Sequence, residues 1–358
     1  MVEKAQRRPP RVLIAGGGVA ALEAMLALRD LAGDRLEVEL CSPCRELFYR
    51  PFGIGEPYGA PRILRCDLAS LATGLGASFR LGGIFAVAPR EGLAVARDGE
   101  QIPYDYLLVA SGARILGAVP GSVAFWGAAG EGGVGGVMRR LRAGVLRDVL
   151  FTMPAGCSWV LPAYELALLG AEVLARSGIE DARVTVVTPE DAPLQIFGSS
   201  AGERMGRRLR EGGIALVTNA SPLEFDGGRL HVASGEPIEA GAVVSLPRLE
   251  GRTVDGLSHD GQGFLPVDGH CRVIGTERVF AAGDVTDFPV KRVGVATHGA
   301  GVAAATIAAA AGCATDPAPF DPADAPCGPE HDGKVSGRYL VPFLAGLPSG
   351  GKRIRASR

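Results

Sequence analysis

The sequence predicts an α/β fold built from two strand–turn–helix–strand units, the second inserted in a discontinuous first. Three observations predict it. The stretch "RVLIAGGGVAALEAMLALRDLAG" places a short apolar strand, a run of glycines and an apolar-faced helix in succession, with a second strand in "LEVELCS". The stretch "DVLFTMPAGCSWVLPAYELALLGAEVLA", Asp148 to Ala175, repeats strand, turn and helix, and "ARVTVVTPE" follows as the next strand. Far down the chain, "TERVFAAGDVTDF" holds an apolar strand closed by Gly283 and Asp284.

Composition agrees with that reading. A chain of 358 residues has room for two domains, and 47% apolar against 21% charged residues can fill two cores. Glycine is abundant at 52 residues and aromatics are sparse at 6%, which suits parallel sheets joined by tight turns. A net charge of −2 gives no electrostatic basis for binding nucleic acid. The N-terminus "MVEKAQRRPP" carries basic residues without an apolar run, so no secretory signal is expected. No uninterrupted run of about 20 apolar residues predicts a transmembrane helix. Seven cysteines, an odd number, point to a reducing compartment. The expected location is the cytoplasm, with peripheral attachment to the inner face of the membrane left open.

The first element is the strand Val12–Ala15 and its turn. Gly16, Gly18 and Ala21 form a G-x-G-x-x-A pattern. Gly16 permits the tight turn, Gly18 lets a pyrophosphate approach the backbone, and Ala21 lets the helix pack close to the strand. The helix start, at Val19 and Ala20, offers N–H groups to an anion. This makes the first unit a Rossmann-like dinucleotide-binding domain. An acid usually ends the second strand and binds the adenosine ribose. Ser42 stands there instead, and Glu46 is the nearest acid downstream, so both are candidates for that contact.

The second unit opens like the first but lacks its turn. Pro162 is expected in the first turn of a helix running from Ala163 to Ala175 and stopping near Gly178. A long loop, Pro154 to Leu161, then separates strand from helix. It holds one glycine, and Trp159 and Val160 besides. A phosphate cradle needs the helix to begin directly after its glycines, so the NAD(P)H seat is degenerate. The expected layout is a first domain of residues 10–115 and 237–325, a second Rossmann-like unit of 116–236, and a tail of 326–358. "GAVVSLPRLEG", Gly241 to Gly251, is read as the connection back to the first domain.

The third element gives a resemblance. "TERVFAAGDVTDF" resembles the second FAD motif of flavoproteins with two dinucleotide-binding domains. "YDYLLVASGAR" resembles their connecting strand and A-T-G turn, with Ser111 in the threonine position and Gly112 after it. This resemblance implies that Asp284 bonds the ribityl chain. It implies too that a helix from Gly294 to Ala311 points its positive end at the flavin pyrimidine ring. Gly283 belongs to the motif, and Lys291 lies near that end.

Within that superfamily, pyridine nucleotide-disulfide oxidoreductases, the chain looks closest to sulfide:quinone oxidoreductase-like and flavocytochrome c sulfide dehydrogenase-like proteins. "FYRP" at Phe48 to Pro51, which adds Arg50 to the cofactor candidates, "AYELAL" and "KVSGRYLVPFL" carry that likeness. It implies an FAD-dependent oxidoreductase moving electrons from a small reductant, sulfide or a thiol among them, to a quinone or other acceptor. Cys157 and Cys327 are then the candidate redox pair, with Cys157 activated by the helix N-terminus ahead of it. "ELFYRPFG" has no cysteine where flavocytochrome-type relatives link the flavin, so the FAD should be noncovalent. No zinc-type cysteine or histidine spacing is present, so no metal is expected. The alternatives are an NAD(P)H-dependent flavin reductase and a noncatalytic flavin-binding partner protein. The tail's apolar strip suits a peripheral membrane contact, intramolecular packing or a homodimer contact.

Overall fold

The computed structural model describes residues 8–49, 54–58, 64–125, 133–179 and 181–321. Arg50, Cys327 and the 326–358 tail therefore lie outside the described residues. The strands that matter here are β1 (Arg11–Ala15), β2 (Glu37–Ser42), β3 (Ser78–Leu81), β4 (Tyr106–Val109), β5 (Val123–Ala124), β6 (Asp148–Thr152), β7 (Arg183–Val187), β8 (Ala215–Val217), β9 (Val243–Ser245) and β10 (Val279–Ala281). They form two parallel sheets in the orders β10-β4-β1-β2-β3 and β5-β9-β6-β7-β8.

The chain divides into two compact units. One is Met1–Tyr49, Leu64–Arg114 and Glu250–Arg358; the other is Arg50–Ile63 and Ile115–Leu249. In the first, β1 reads as a continuous apolar run because both faces of a parallel sheet are covered. Leu13 and Ala15 pack with Leu107, Val109, Val279 and Ala281 in one core. The first helix, α1 (Val19–Ala32), follows the glycine turn directly. It buries Ala20, Ala24 and Ala27 beside Leu22, Met25 and Leu28. Such small side chains let it pack closely on the long helix near the end of the described chain, Val293–Ala310. That helix is long and apolar enough to cross a membrane, with a mean hydropathy of 1.4. Yet Val295, Ala300, Ala303, Ala304 and Ile307 are buried inside the unit, so its apolarity serves as core.

The second unit departs from the expected boundaries in two places. The stretch read as a connection contains β9, whose Val243 and Val244 are buried between β5 and β6. The insert therefore continues to Leu249 instead of ending at 236. Residues 54–58, expected in the first domain, belong to the second unit as well. There the Tyr58 O–H donates to the Leu166 carbonyl at 2.6 Å. Its ring end lies over Gly170, where a Cβ would stand 3.6 Å from the hydroxyl. The helix α2 (Leu161–Arg176) begins two residues earlier than expected, with Pro162 in its first turn.

Candidate functional site

The glycine turn is built for an open approach. Gly16 has φ of 140°, and a Cβ there would collide with the carbonyl oxygen of Ala110. Gly17 has no room either, being enclosed by Ser42 Oγ and Leu68 Cδ1. Gly18 is the opposite case. It is extended backbone at the N-cap of α1, and nothing lies within 4 Å of where its Cβ would stand. No side chain caps α1. Its first-turn N–H groups, from Val19 and Ala20 onward, thus face a space that only glycine leaves open.

The distant motifs converge on this turn. The segment after β4 brings Ser111 against Gly16, and the segment after β10 brings Gly283 to α1. At Gly283, φ is 82°, and a Cβ would sit 3.0 Å from that of Ala20 and 3.7 Å from that of Ala296. The Ser111 hydroxyl is buried without a hydrogen-bond partner. Gly112, at φ of 69°, turns the chain after it. Asp284 follows Gly283, and the third helix used here, α3 (Val293–Ala310), begins beyond it with no side-chain cap and with Gly294 buried in its first turn. Gly16, Gly18, Val19, Ala20, Ser111, Gly112, Gly283, Asp284 and Gly294 thus gather at the carboxyl ends of β1, β4 and β10. Open α/β sheets bind ligands at that edge.

Lys291 stands two residues before α3 and is only 4% exposed. Its ammonium donates to the Thr286 carbonyl and lies 3.9 Å from the centroid of the Phe264 ring. Burial pulls its pKa down to about 8, against the opposing pull of Asp284, Asp287 and Asp260. An unfolded lysine titrates near ~10.4, so the folded chain binds fewer protons between those values. Stability should therefore rise with pH across that window, by up to about 3 kcal/mol for this group. Three buried thiols, Cys41, Cys66 and Cys271, and half-buried Cys157 have raised pKa values and act in the opposite sense. The measurement is thus a comparison. Chemical denaturation at several pH values should show wild type gaining on Lys291→Met as pH climbs through the window. Parallel curves would contradict the assignment.

The ribose candidates sit at the end of β2. Ser42 is buried and turned into its own loop: its hydroxyl donates to the Cys44 carbonyl at 2.9 Å and accepts from the Cys44 N–H at 3.2 Å. Glu46 pairs with Arg65 at 3.6 Å. A cavity of about 490 Å³ opens here, lined by Cys44, Arg45, Glu46, Leu47 and Arg65. The sequence reading missed Arg45 and Arg65, and only the pairing of strands Glu46–Tyr49 and Leu64–Asp67 brings Arg65 to this cavity.

Cys157 lies in the second unit, and its chemistry differs from the expectation. Residues 154–157 make a turn, with the Cys157 N–H donating to the Pro154 carbonyl and Gly156 at φ of 73°. The thiol is half-buried and points to the Pro247 carbonyl at 3.8 Å. Burial raises its pKa to about 11; a backbone bond at Trp159 opposes this and the charge of Glu190 adds to it. The expected activation by the following helix is not what governs this thiol, because burial is the largest influence on its pKa. Alkylation at neutral pH should accordingly modify exposed Cys44 before Cys157. Mass spectrometry of a short iodoacetamide time course checks the order, and faster labelling of Cys157 would contradict it. The C-x-x-C of Cys41 and Cys44 is split: Cys41 is buried, its thiol facing the Gly82 carbonyl at 3.4 Å, while Cys44 is exposed.

The same loop leads into the second unit's helix. Trp159 stacks on Phe125 with centroids 6.1 Å apart, and Val160, in helical conformation, occupies the N-cap. No glycine stands where Gly18 stands in the first unit. The first unit's residues fit the FAD that the sequence resemblance implies. Gly18 leaves space before an uncapped helix, and Ser111 has an orphan hydroxyl that a polar cofactor chain would satisfy.

Comparison with known proteins gives the family. The chain is 28% identical over 297 residues to the NADH dehydrogenase-like protein MT1860 of Mycobacterium tuberculosis, covering 77% of this chain and 72% of that protein. The fold resembles the sulfide:quinone oxidoreductase of Aquifex aeolicus, with a TM-score of 0.75 at 20% identity over 83% of this chain and 76% of that one. It also resembles the ferredoxin reductase for the CYP199A2 system of Rhodopseudomonas palustris, with a TM-score of 0.65 at 17% identity over 87% and 78% of the two chains. Residues 10–312 match the pyridine nucleotide-disulphide oxidoreductase family, and the chain belongs to it.

Proposed function

We propose that the chain is an oxidoreductase with one noncovalent FAD in its first unit, and that it draws electrons from a small reductant instead of NAD(P)H. The observation that carries this reading is the contrast between the two helix starts. Gly18, with nothing within 4 Å of its Cβ position, is the N-cap of α1, whereas Val160, in helical conformation, is the N-cap of α2. Bound FAD would accept two electrons from a donor and release them to a quinone or another acceptor. Gly18, Val19 and Ala20 would hold the pyrophosphate, and Ser111 and Asp284 would bond the polar chain. The start of α3, at Gly294, aims its positive end at charge near the pyrimidine ring. Lys291 adds a cation beside that helix start. Sulfide or a thiol is the proposed donor class, with Cys157 and Cys327 as its sulfur-handling candidates. Cys157 enters as a neutral thiol, so a base must take its proton before it acts. The proposed location is cytoplasmic.

An anaerobic reductant series tests this. Sulfide or a small thiol should bleach the flavin absorbance, while NADH and NADPH should do so slowly and incompletely. Rapid stoichiometric bleaching by either nucleotide would overturn the reading. It would favour the second one, an NADH-dependent dehydrogenase, which the likeness to the mycobacterial NADH dehydrogenase-like protein supports.

A further inference from the structure

A Rossmann-like unit reads the adenosine ribose with an acid beyond its second strand. In the second unit that strand is β7, and the acid just beyond it is Glu190. Both oxygens of Glu190 are already engaged. The Tyr164 hydroxyl donates to Oε2, and the Thr188 hydroxyl donates to the same oxygen at 3.1 Å. The backbone N–H of Gln195 donates to Oε1 at 2.9 Å. Tyr164 lies on the first turns of α2 and is fully buried. Burial first, and then the Glu190 carboxylate, push its phenol pKa far upward, so it stays a donor at any physiological pH. Thr188 is fully buried as well.

A ribose diol could reach this carboxylate only by displacing two buried donors, of which Thr188 has only the weak acceptor Met153 Sδ, at 4.0 Å, as an alternative. The Tyr164 hydroxyl, on a side chain that belongs to the core with Phe151, Leu166 and Ala167, would lose its carboxylate acceptor. Leaving a buried polar group unpaired is the most expensive way to lose a hydrogen bond. We propose that the Tyr164–Glu190 pair is the specificity element of the second unit: it withdraws the strand-end acid from the ribose, so the unit discriminates against dinucleotides there as well as at the missing phosphate cradle. Tyr164 acts through Glu190 and is a positioning residue. The inference deepens the reading that NAD(P)H is not the donor, but it concerns binding and can stand or fall separately.

The test measures binding of NADH and NADPH to the intact flavoprotein by equilibrium dialysis, so that it does not depend on turnover. Wild type should bind both in the millimolar range or more weakly, and Glu190→Gln should change neither by more than about twofold. Tyr164→Phe keeps the ring and removes one of the two side-chain donors to Oε2, and should tighten NADH binding by roughly tenfold. NADPH should not gain, because a freed carboxylate repels its 2′-phosphate. Adding Glu190→Gln to Tyr164→Phe should abolish the gain. A merely loosened fold would show neither the NADH preference nor its reversal. Should Tyr164→Phe fail to fold, Thr188→Val removes the other side-chain donor to the same oxygen and should give a smaller gain that is again selective for NADH.

Tight wild-type NADH binding that falls about tenfold in Glu190→Gln would overturn the proposal, since Glu190 would then already read the ribose. So would a folded Tyr164→Phe with unchanged NADH binding. Reduction of the flavin by NADH at a rate that Glu190→Gln leaves unaltered would remove the donor reading, while supporting the withdrawal of Glu190 from the dinucleotide.

Discussion

Gly18→Val should fold normally and purify without colour. The position has extended backbone, which valine tolerates, and no neighbour within 4 Å of the added Cβ. Its cost to the fold should be about 1 kcal/mol, the usual loss when a poor N-cap residue replaces a good one. The isopropyl group would instead stand in the space left for a pyrophosphate. FAD affinity should fall roughly a hundredfold or more, equivalent to ~2.8 kcal/mol. Fluorimetric titration of the apoprotein with FAD checks this, with circular dichroism as the control for folding. Wild-type affinity in a folded Gly18→Val protein would show that the cofactor does not approach this turn.

Gly16→Ala should fail differently, by damaging the fold itself. Its φ of 140° is strained for any L side chain, and the added methyl would meet the backbone carbonyl of Ala110 in the next strand's loop. A flexible side chain could move aside; this backbone, one residue past β4 and anchored by the Ala110 N–H donating to the Ala15 carbonyl at 2.8 Å, cannot do so cheaply. Strain and overpacking together should cost about 3–5 kcal/mol. For a unit of this size that lowers Tm by roughly 10 °C. Differential scanning calorimetry of the cofactor-free protein isolates the effect from any loss of FAD. A shift under a few degrees would mean that the turn can rearrange.

These two glycines were legible in the sequence because their requirement is local. A strand, a turn without side chains and a helix starting at once leave few alternatives, and the structure has all three. The second motif was legible for the same reason: Gly283 needs φ of 82° and closeness to Ala20 and Ala296. Pro162 also announced its place at a helix start. What escaped the sequence depends on contacts between distant residues. Tyr58 and Leu166 are 108 positions apart, and nothing in the neighbourhood of either suggests their hydrogen bond. Strand β9 spans only Val243–Ser245, too short to show a period, so it read as a connection. The acidity of Cys157 was misjudged because a helix follows it in sequence. Its environment is set instead by burial against the apolar core of the second unit and by the Pro247 carbonyl.

The role of Glu190 was hidden in the same way. "TPE" after a strand reads as a ribose-binding end, and only the fold shows that Tyr164, from the preceding helix, has taken the carboxylate. A sequence pattern identifies which groups are present at a site, whereas their prior engagement is a property of packing.

In the proposed function the first unit alone holds a dinucleotide cofactor, FAD without a covalent link. The most direct measurement is to denature the purified protein in acid, remove the chain, and quantify flavin in the supernatant and on the pellet. The predicted result is one FAD per chain, all of it released, with the apoprotein regaining the same stoichiometry when refolded with FAD. A folded protein that carries no flavin and takes up none on reconstitution, or flavin that stays on the denatured chain, would contradict it.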